Sequence, residues 1–542
     1  MRDEHADATP RSLLRRFEER AEREGSRTAL VTPRGEVSYA QLRSRVEALA
    51  MSLADRGAGP GRVVAFPADV EPETLVRLLA TLRAGAAYLP YEASQPESRL
   101  RALFDDARPI VVLGPEAALA EAPAGEYAHD LAYVLFTSGS TGRPKGVMMP
   151  APPLARLLAF HLGDARLGKP LRTLRFSPLG FDVHFQEIMP TLATGGTLVL
   201  PSEMQRRDPD ALLALLDSGG VERMFLPYVA LHLLADAALR ANRWPASLRD
   251  VISAGEALRV TPGIRRFFER TGARLHNHYG PTETHVCIGM EVPGDAHDWP
   301  EMPAIGKPFP YVRAKLGAIA DDESTDGSGE LLLGGGCVAN GYVARPELTA
   351  ERFVTDESGG RWYRTGDRAA IAADGVIAFL GRIDQQVKID GIRVEPAEAE
   401  LALMELDGVA SVAVAARELP PIGRQLVAWV VRAGPDAPDV AQLRAHARKR
   451  LPAYLQPSRY LFVERIPTTS NNKIDYRALP EPGRHEAGGA GGSLEDAVLA
   501  TWRALLGHPT LARDENVFEH GARSLVVVRF VQALREQTGL AV

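Results

Sequence analysis

Residues 137–146 read TSGSTGRPKG and follow an apolar run, LAYVLF, at residues 131–136. Glycines let the backbone turn tightly and approach an anion, while N–H groups and Ser and Thr hydroxyls can donate hydrogen bonds to phosphate oxygens. The segment is not a Walker A loop, because Pro144 precedes Lys145 and the Gly-Lys-Ser/Thr order is absent. By itself it predicts either a phosphate-binding loop or an ordinary Gly/Ser surface loop.

The strands and helices that would position such a loop belong to a large globular protein. With 542 residues, 45% of them hydrophobic, the sequence has material for two or three domains with proper cores. Its 63 basic and 69 acidic residues give a net charge of −6, without the basic excess of nucleic-acid-binding proteins. We therefore expect no nucleic-acid partner.

The N-terminus is charged from its first residues, and no apolar run approaches the ~18 residues that cross a bilayer. The expectation is a cytoplasmic protein without a membrane partner. Cys287 and Cys337 are too few for a disulfide framework and lack metal-ligand spacing, so we expect reduced thiols in the core or in a pocket.

Helix-like and strand-like segments alternate from about residue 10 to 380. In TLVRLLATLRAG, four leucines share one helical face, whereas PIVVLG, GGTLVL and RMFLP are short apolar runs typical of buried strands. Such alternation predicts an α/β protein with mostly parallel sheets and flanking helices. From residue 381 the pattern changes, which indicates a second, smaller α+β domain extending to about residue 480.

The segment EPGRHEAGGAGGS, residues 481–493, is too rich in Gly and Ala to form a core and is typical of a flexible linker. After it, Ser493 with Asp496 is a helix-start signal, followed by an apolar stripe that includes Val498, Trp502 and Leu505. Only 50 residues remain from Ser493 to Val542, so we expect a partial small helical domain.

Ten motifs occur in order along the chain and together resemble the adenylate-forming superfamily, most closely the adenylation domains of nonribosomal peptide synthetases. They are VSYAQL (37), LRAGAAYLPYE (82), LAYVLFTSGSTGRPKG (131), FDVHFQEI (181), NHYGPTE (277), GELLLGGGCVANGY (329), YRTGDR (363), GRIDQQVKIDGIRVE (381), LPAYLQP (451) and NNKIDYRALP (471). The resemblance implies an adenylation core at 1–383, a mobile C-terminal subdomain at 384–480, a linker at 481–493 and a partial peptidyl carrier domain at 494–542.

The implied reaction is attack of a carboxylate on the α-phosphate of Mg·ATP, release of pyrophosphate, and capture of the acyl group by a thiol. The protein would mainly position the reactants and neutralise charge. The residues that the resemblance assigns to the β- and γ-phosphates are Thr137, Ser138, Ser140, Thr141 and Lys145. Those assigned to the rest of the nucleotide are Gly255, Asn277, Tyr279, Gly280, Thr282, Asp367 and Arg382, with Glu283 as the Mg²⁺ ligand.

Two further residues are implied to serve catalysis. Lys473, in NNKID, would reach the substrate carboxylate and the α-phosphate, although Asn472 stands where relatives usually have Gly. Asp384, in GRID, would be the hinge about which the C-terminal subdomain moves, because Lys473 must leave before a thiol can approach.

Asp182, in FDVHFQEI, matches the aspartate that pairs with the α-amino group of amino-acid substrates, since a buried carboxylate needs a cation. The motif-anchored pocket comprises Asp182, Val183, Gln186, Val229, Ile252, Ala254, His278, Val286 and Cys287. This mostly apolar wall suits a small aliphatic or cyclic side chain and resembles proline-activating domains. Val229 and Cys287 depart from the usual pattern, so a modified proline remains open, and the orientation of His184 is undetermined.

The tail NVFEHGARSLVVVRF resembles a peptidyl carrier protein around Ser524, the expected attachment point of 4′-phosphopantetheine. An ordinary helix N-cap is the alternative for Ser524. The implied partners are the amino acid, a carrier domain in cis or in trans, a phosphopantetheinyl transferase and a small MbtH-like helper. Two other functions stay open: a ligase that joins another carboxylic acid to coenzyme A, and a catalytically inactive binding module.

Overall fold

The computed structural model describes residues 5, 7–68, 71–120, 122–139, 143–319, 327–384, 386–389, 392–419, 423–434, 437–468, 474–482, 494–506 and part of 511–534. The chain divides into two compact units. Unit 1 comprises Met1–Ala93, Leu100–Thr137 and Lys145–Asp384, and unit 2 comprises Ser94–Arg99, Ser138–Pro144 and Gln385–Val542.

The α-helices up to residue 384 begin mostly at a proline or at a capping side chain, as at Ser38, whose hydroxyl accepts from the Gln41 N–H. They are α1 (Arg15–Arg23), α2 (Tyr39–Asp55), α3 (Pro72–Arg83), α4 (Glu97–Ala107), α5 (Ala151–Gly163), α6 (His184–Thr194), α7 (Glu203–Arg207), α8 (Pro209–Ser218), α9 (Tyr228–Ala241), α10 (Pro262–Thr271) and α11 (Pro346–Arg352). Short 3₁₀ helices span Arg11–Leu14, Pro115–Leu119 and Ala296–Asp298.

The strands of unit 1 form three sheets. They are β1 (Thr28–Thr32), β2 (Gly35–Ser38), β3 (Val63–Pro67), β4 (Ala87–Tyr91), β5 (Val111–Val112), β6 (Leu131–Thr137), β7 (Lys145–Pro150), β8 (Arg172–Leu174), β9 (Thr197–Val199), β10 (Arg223–Leu226), β11 (Asp250–Ser253), β12 (Arg274–Tyr279), β13 (Ile288–Glu291), β14 (Lys307–Pro308), β15 (Val312–Gly317), β16 (Ser328–Gly335), β17 (Gly341–Tyr342), β18 (Phe353–Thr355), β19 (Arg361–Ile371) and β20 (Ile377–Arg382).

The largest sheet has the order β14-β13-β12-β11-β10-β8-β9-β1-β2, and its central strands from β12 to β1 are parallel. Leu226 pairs with Ser253, and Ser253 pairs with Asn277, so β10, β11 and β12 end at one edge. Ligands of α/β sheets bind beyond the carboxyl ends of parallel strands. The segments that follow these strands carry Val229, Gly255 and Thr282, which places all three near this edge.

Arg223, in β10, fixes elements around this sheet although it is fully buried. Its guanidinium donates to the Leu167 carbonyl at 2.6 Å and to the hydroxyls of Thr191 at 3.0 Å and Thr173 at 3.1 Å. Burial lowers the pKa of Arg223 to about 10, which leaves it protonated at neutral pH. It therefore ties α6 to the strands beneath it.

The second sheet, of order β17-β7-β6-β4-β3-β5, contains the predicted phosphate loop. Strands β6 and β7 pair antiparallel with Thr137 opposite Lys145, so the loop is the connection of a hairpin. The third sheet has the order β15-β16-β19-β18, with β20 also paired to β19. In that pairing Asp367 stands opposite Arg382, which brings two predicted nucleotide-binding residues together.

Unit 2 has its own apolar core. Its elements are β21 (Val387–Ile389), β22 (Ile392–Val394), α12 (Pro396–Met404), β23 (Val409–Leu419), β24 (Gly423–Arg432), α13 (Val440–Arg450), a 3₁₀ helix (Ala453–Leu455), β25 (Arg459–Phe462) and α14 (Leu494–Leu506). Strands β23, β24 and β25 form a sheet in which Trp429 is fully buried.

The described part of the tail also packs. The Trp502 ring, on α14, stacks on Phe530 at 4.0 Å between centroids, and Leu505, Leu506 and Val526 are buried nearby in one apolar cluster. The apolar stripe of α14 therefore finds partners among the described residues of the tail.

The predicted α/β fold class is confirmed: a large region of sheets with flanking helices, a small α+β region and a helical tail. Parallel strands form the centre of the largest sheet, whereas the third sheet is antiparallel throughout. The expected helix in TLVRLLATLRAG is α3, and the three apolar runs PIVVLG, GGTLVL and RMFLP contain β5, β9 and β10. Cys287 and Cys337 are free and buried, as expected. The pKa of the Cys337 thiol is raised well above its usual value, mainly by a hydrogen bond to Cys287 and also by burial.

Candidate active site

Lys145 and Glu283 form a buried ion pair in unit 1. Lys145 Nζ lies 3.7 Å from Glu283 Oε1, and the two side chains are 8% and 0% exposed. The Tyr342 hydroxyl donates to the same carboxylate oxygen at 2.7 Å, while the ammonium lies 5.2 Å from the centroid of the Tyr342 ring. The proposed phosphate-binding lysine and the proposed metal ligand are thus neighbours, and Tyr342 orients both.

Thr137, at the end of β6, has a hydroxyl that is inaccessible to solvent and makes no hydrogen bond within the described part of the chain. A buried hydroxyl without a partner is costly unless a ligand satisfies it. This orphaned donor, opposite Lys145 in the hairpin, fits a group rich in acceptor oxygens such as a polyphosphate.

Three residues at the end of the third sheet form a charged network. The Arg382 guanidinium donates to Asp367 Oδ1 at 2.7 Å and contacts Asp384 through two nitrogens, at 2.9 and 2.5 Å. The Tyr279 hydroxyl donates to the other oxygen of Asp367. Gly366 has φ +71°, and a Cβ there would lie 2.7 Å from Arg382 Nη2, so glycine leaves room for this guanidinium.

The segment after β12 is a tight turn that sets Tyr279, Thr282 and Glu283 side by side. A Cβ on Gly280 would lie 1.9 Å from the His285 carbonyl oxygen, so only glycine fits there. The Asn277 side-chain nitrogen donates to the carbonyls of Ala304 at 2.9 Å and Pro303 at 3.4 Å. Its Oδ1 is therefore the atom suited to accept from an adenine amino group. Gly255, with φ +88°, has open space around its Cα.

The predicted substrate pocket residues come from several elements of unit 1. Asp182, Val183 and Gln186 lie in and before the first turn of α6. The others are Val229 in α9, Ile252 in β11, Ala254 after β11, His278 in β12, and Val286 and Cys287 just before β13. The buried members of this set are Asp182, Gln186, Ile252, Ala254, His278, Val286 and Cys287. Val183 packs against an apolar cluster of Leu167, Phe225 and Ile252, and the Val229 N–H donates to Glu256 at 3.1 Å.

Asp182 is 8% exposed and lies close to two buried tyrosines. Burial raises the pKa of Tyr88 and of Tyr133 well above the usual value, and the nearby Asp182 carboxylate raises both further. The carboxylate therefore lies in a pocket with a low dielectric, where a cationic group on a ligand would be held strongly.

His184 has a structural role. It is fully buried, its Nδ1 lies 2.6 Å from the Phe181 carbonyl oxygen, and its Nε2 lies 2.8 Å from the Tyr88 hydroxyl. Burial lowers the pKa of His184 to about 3, so the ring is neutral. Because both ring nitrogens have protein partners, His184 positions the start of α6.

Within unit 2, the described part of the glycine loop contacts α12 and β22. The Gly139 N–H donates to Glu398 Oε2 at 3.2 Å, and Ser138 Oγ donates to the Arg393 carbonyl at 2.8 Å. Glu398 is also paired with Arg99. A backbone donor that was predicted to bind phosphate is here satisfied by a carboxylate, which presents the same kind of acceptor oxygen.

Four predicted residues, Ser140, Thr141, Lys473 and Ser524, lie outside the described residues. The sequence reasoning assigned no role to Tyr342, although it is the last residue of the motif GELLLGGGCVANGY, and it missed His161, discussed below. Across the described residues no cluster of three or more His, Cys, Asp or Glu side chains could hold a metal ion. Mg²⁺ is commonly bound by one or two carboxylates together with substrate phosphates, which fits Glu283 beside Lys145.

Comparison with known proteins identifies the family. The model described as "AMP-binding enzyme" matches residues 17–126 and 115–343, "AMP-binding enzyme C-terminal domain" matches 398–473, and "Phosphopantetheine attachment site" matches 496–542. The chain therefore belongs to the AMP-binding enzyme family. It is an adenylating ligase of the nonribosomal peptide synthetase type, with an adenylation domain followed by a carrier domain, and its cofactors are ATP, Mg²⁺ and 4′-phosphopantetheine.

Two curated relatives are named for tyrocidine synthesis and for novobiocin biosynthesis. The chain is 32% identical to tyrocidine synthase 2 of Brevibacillus parabrevis over 568 residues, 98% of this chain but 16% of that protein. It is 34% identical to novobiocin biosynthesis protein H of Streptomyces niveus over 552 residues, 94% of this chain and 90% of that one. The chain thus spans less than a fifth of tyrocidine synthase 2, with 16% covered.

Among solved structures, the chain is similar to holo-PA1221, described as a nonribosomal peptide synthetase protein containing adenylation and peptidyl carrier domains bound to a vinylsulfonamide inhibitor. The TM-score is 0.81 and the identity 28%, covering 99% of this chain and 93% of that one. Among the described residues, no helix is both long and apolar enough to cross a membrane.

Proposed function

We propose that this chain activates proline or a proline-like cyclic amino acid as an aminoacyl adenylate and transfers it to a carrier thiol in nonribosomal peptide synthesis. The observation that carries the proposal is Asp182, a carboxylate 8% exposed at the start of α6, surrounded by a compact and largely apolar set of side chains. An α-ammonium or ring ammonium would neutralise it. No second charged side chain belongs to the proposed pocket set, which favours an uncharged substrate side chain.

In the proposed reaction a carboxylate oxygen of the amino acid forms a bond to the α-phosphorus of ATP, and the bond from that phosphorus to the bridging oxygen breaks. Pyrophosphate leaves with the bonding electrons. Lys145, Thr137, Ser138, Ser140 and Thr141 would bind the leaving phosphates. Lys473 would neutralise charge between the carboxylate and the α-phosphate.

The geometry of unit 1 supports the remaining nucleotide contacts that we propose. Asp367, oriented by Arg382 and Tyr279, would accept from the ribose hydroxyls. Asn277 Oδ1 and the Tyr279 ring would receive adenine, with Gly255, Gly280 and Thr282 shaping the turn around it. Glu283 would hold Mg²⁺, which supplies positive charge to the phosphates.

Asp384 is the proposed hinge between 1–383 and 384–480, with 481–493 as linker and 494–542 as carrier. Ser524 would bear 4′-phosphopantetheine, whose thiol accepts the acyl group. The proposed partners are a carrier domain in cis or in trans, a phosphopantetheinyl transferase that modifies Ser524, and an MbtH-like helper. We propose the cytoplasm as the location.

The test is amino-acid-dependent exchange of radiolabelled pyrophosphate into ATP with a panel of amino acids. We expect proline or a cyclic analogue to give the highest rate, and preference for an acidic, basic or large aromatic amino acid would contradict the pocket assignment. Asp182→Asn should lower kcat/KM by about 100-fold or more, because a buried charge pair is lost. Asp374→Asn, at an exposed carboxylate, is the matched control and should leave the rate unchanged.

The alternatives give distinct results. If coenzyme A accepts the acyl group faster than the modified carrier domain does, the chain is a coenzyme A ligase instead. If no carboxylic acid in the panel supports exchange, the chain is an inactive binding module.

A further inference from the structure

A row of buried polar side chains extends from Asp182 into the protein interior. Gln186 lies one helical turn beyond Asp182, and its Oε1 is 3.4 Å from Nδ1 of His278 on β12. The His278 ring is followed by the ring of His161, with 6.3 Å between the centroids. His161 belongs to α5 and was not among the residues that the motifs assign to the pocket.

Two members of this row have hydrogen-bonding atoms without a partner in the described part of the chain. They are Nε2 of Gln186 and both ring nitrogens of His161, and both residues are fully buried, with 0% of their surface exposed. Natural proteins rarely leave buried donors unpaired, and such exceptions tend to occur where a ligand binds. The three unpaired atoms along this row therefore need an explanation.

The protonation state of these groups determines which ligand atom could form hydrogen bonds with them. Burial lowers the pKa of His161 to about 3 and that of His278 well below its usual value, so both rings are neutral. Neutral His161 offers one N–H donor and one acceptor nitrogen, and the Gln186 amide nitrogen offers donors. A hydroxyl group can accept from the amide and also exchange a hydrogen bond with either nitrogen of His161.

We propose that Gln186 and His161 form a polar floor that selects an oxygen substituent on the ring of the substrate, so that the preferred amino acid is a hydroxylated proline-like one, with His161 as a further specificity-determining residue. This inference rests on the proposed function, in that it assumes a cyclic amino acid anchored at Asp182. An apolar wall continues along Val183 and Ile252, which suits the ring carbons.

The proposal explains why the pocket is not apolar throughout. An apolar ring such as unsubstituted proline would leave the floor unpaired, and sites built to bond a substrate hydroxyl discriminate strongly against analogues that lack it. A methyl group in the same position would fill the space without supplying a hydrogen bond, which makes it the informative comparison.

The experiment measures pyrophosphate exchange by the intact chain with L-proline, cis- and trans-4-hydroxy-L-proline and 4-methyl-L-proline. One hydroxylated isomer should exceed the methyl analogue in kcat/KM by about 10-fold or more. Equal use of the hydroxy and methyl analogues, or preference for the methyl one, would overturn the inference while leaving activation of a cyclic amino acid intact. If no cyclic amino acid supports exchange but a linear one does, the proposed function itself fails.

Two variants assign the preference to its residues. Gln186→Met keeps the length of the side chain and His161→Phe keeps a ring, but each removes the hydrogen-bonding atoms. In both, the ratio of kcat/KM for the hydroxylated substrate to that for the methylated substrate should fall by about 10-fold, whatever the change in the absolute rates. His297→Phe, the same change at an exposed histidine, should leave the ratio unaltered. A ratio unchanged in both floor variants, with preserved thermal unfolding, would show that neither side chain contacts the substituent.

Discussion

Lys145 Nζ lies 3.7 Å from the carboxylate of Glu283, and both side chains are buried in unit 1. The lysine starts β7 and the glutamate lies in the turn after β12, so two different sheets contribute to one ion pair. Tyr342, in β17, donates to the same carboxylate at 2.7 Å. A phosphate chain bound by Lys145 would therefore lie directly beside the carboxylate that is proposed to hold its metal ion.

The first prediction concerns the metal ion. Glu283→Gln removes the anionic oxygen, so the variant should need about 10- to 100-fold more Mg²⁺ for half-maximal pyrophosphate exchange, as expected for a lost charged interaction. The measurement is a magnesium titration at saturating amino acid. Glu301→Gln, at an exposed carboxylate, is the control. An unaltered magnesium requirement in Glu283→Gln would assign the metal to other groups.

The second prediction concerns Arg382, which contacts two carboxylates at once. Arg382→Lys keeps the charge but offers a single ammonium, which cannot reproduce the fork that bonds Asp367 and Asp384 together. We expect KM for ATP to rise by about 10-fold or more, since Asp367 loses its orientation. The control is Arg313→Lys, which makes the same substitution at a guanidinium that lies over the Trp362 ring. Equal KM values in the wild type and Arg382→Lys would show that Asp367 does not need this partner.

The third prediction concerns the hinge. Asp384→Pro fixes the backbone φ at the junction, and a side chain at residue 384 no longer meets Arg382. Pyrophosphate exchange should be spared within a few-fold, while thioester formation on the carrier should slow by about 10-fold or more. The two half-reactions are measured separately on the same preparation. Equal loss of both would contradict the hinge assignment.

The fourth prediction concerns pH. The pKa of His161 is lowered from 6.5 to about 3 by burial, with the Arg223 cation adding to the effect. Below pH 6.5 the unfolded chain takes up a proton that the folded chain does not, so stability is lost as the pH falls through this window. In a wild type titrated from pH 6.0 to 5.0, this histidine contributes a loss of about 1 kcal/mol in the free energy of unfolding.

His161→Phe lacks that contribution. The difference in unfolding free energy between variant and wild type should be constant above pH 7 and should shift in favour of the variant by about 1 kcal/mol per pH unit below pH 6.5. The free energy of unfolding is measured from the first unfolding transition in urea at several pH values. A difference that is independent of pH would mean that the ring is protonated, or solvated, in the folded protein.

Periodicity predicted the elements of this fold well, because buried strands and amphipathic helices leave strong local patterns. Helix α3 and strands β5, β9 and β10 were expected from runs of Leu, Val and Ile bounded by Gly or Pro. The sheet orders could not be predicted in this way. Strand β1 pairs with β9, far along the chain, and only the folded structure shows which strands are adjacent.

The candidate site was predictable only where residue types stand in ordered motifs. Asp367 and Arg382 were both expected near the nucleotide, and the pairing of β19 with β20 brings them together. Tyr342 and His161 were missed, since contacts between distant segments leave no spacing in the sequence. A histidine in the otherwise apolar helix APPLARLLAFHLG was the available signal, although a core histidine with protein partners is the commoner explanation of such a residue.

Arg382 contacts Asp367, the proposed ribose ligand, and Asp384, the proposed hinge, with the same guanidinium. Rotation about Asp384 would break the contact with Asp384 and keep the hydrogen bonds of the guanidinium to Asp367 and to the Thr365 carbonyl. The activated intermediate, which is prone to hydrolysis once it escapes, would then be retained most firmly while the thiol is arriving. Loss of the Arg382 side chain should therefore increase unproductive consumption of ATP, so that AMP is formed in excess over thioester.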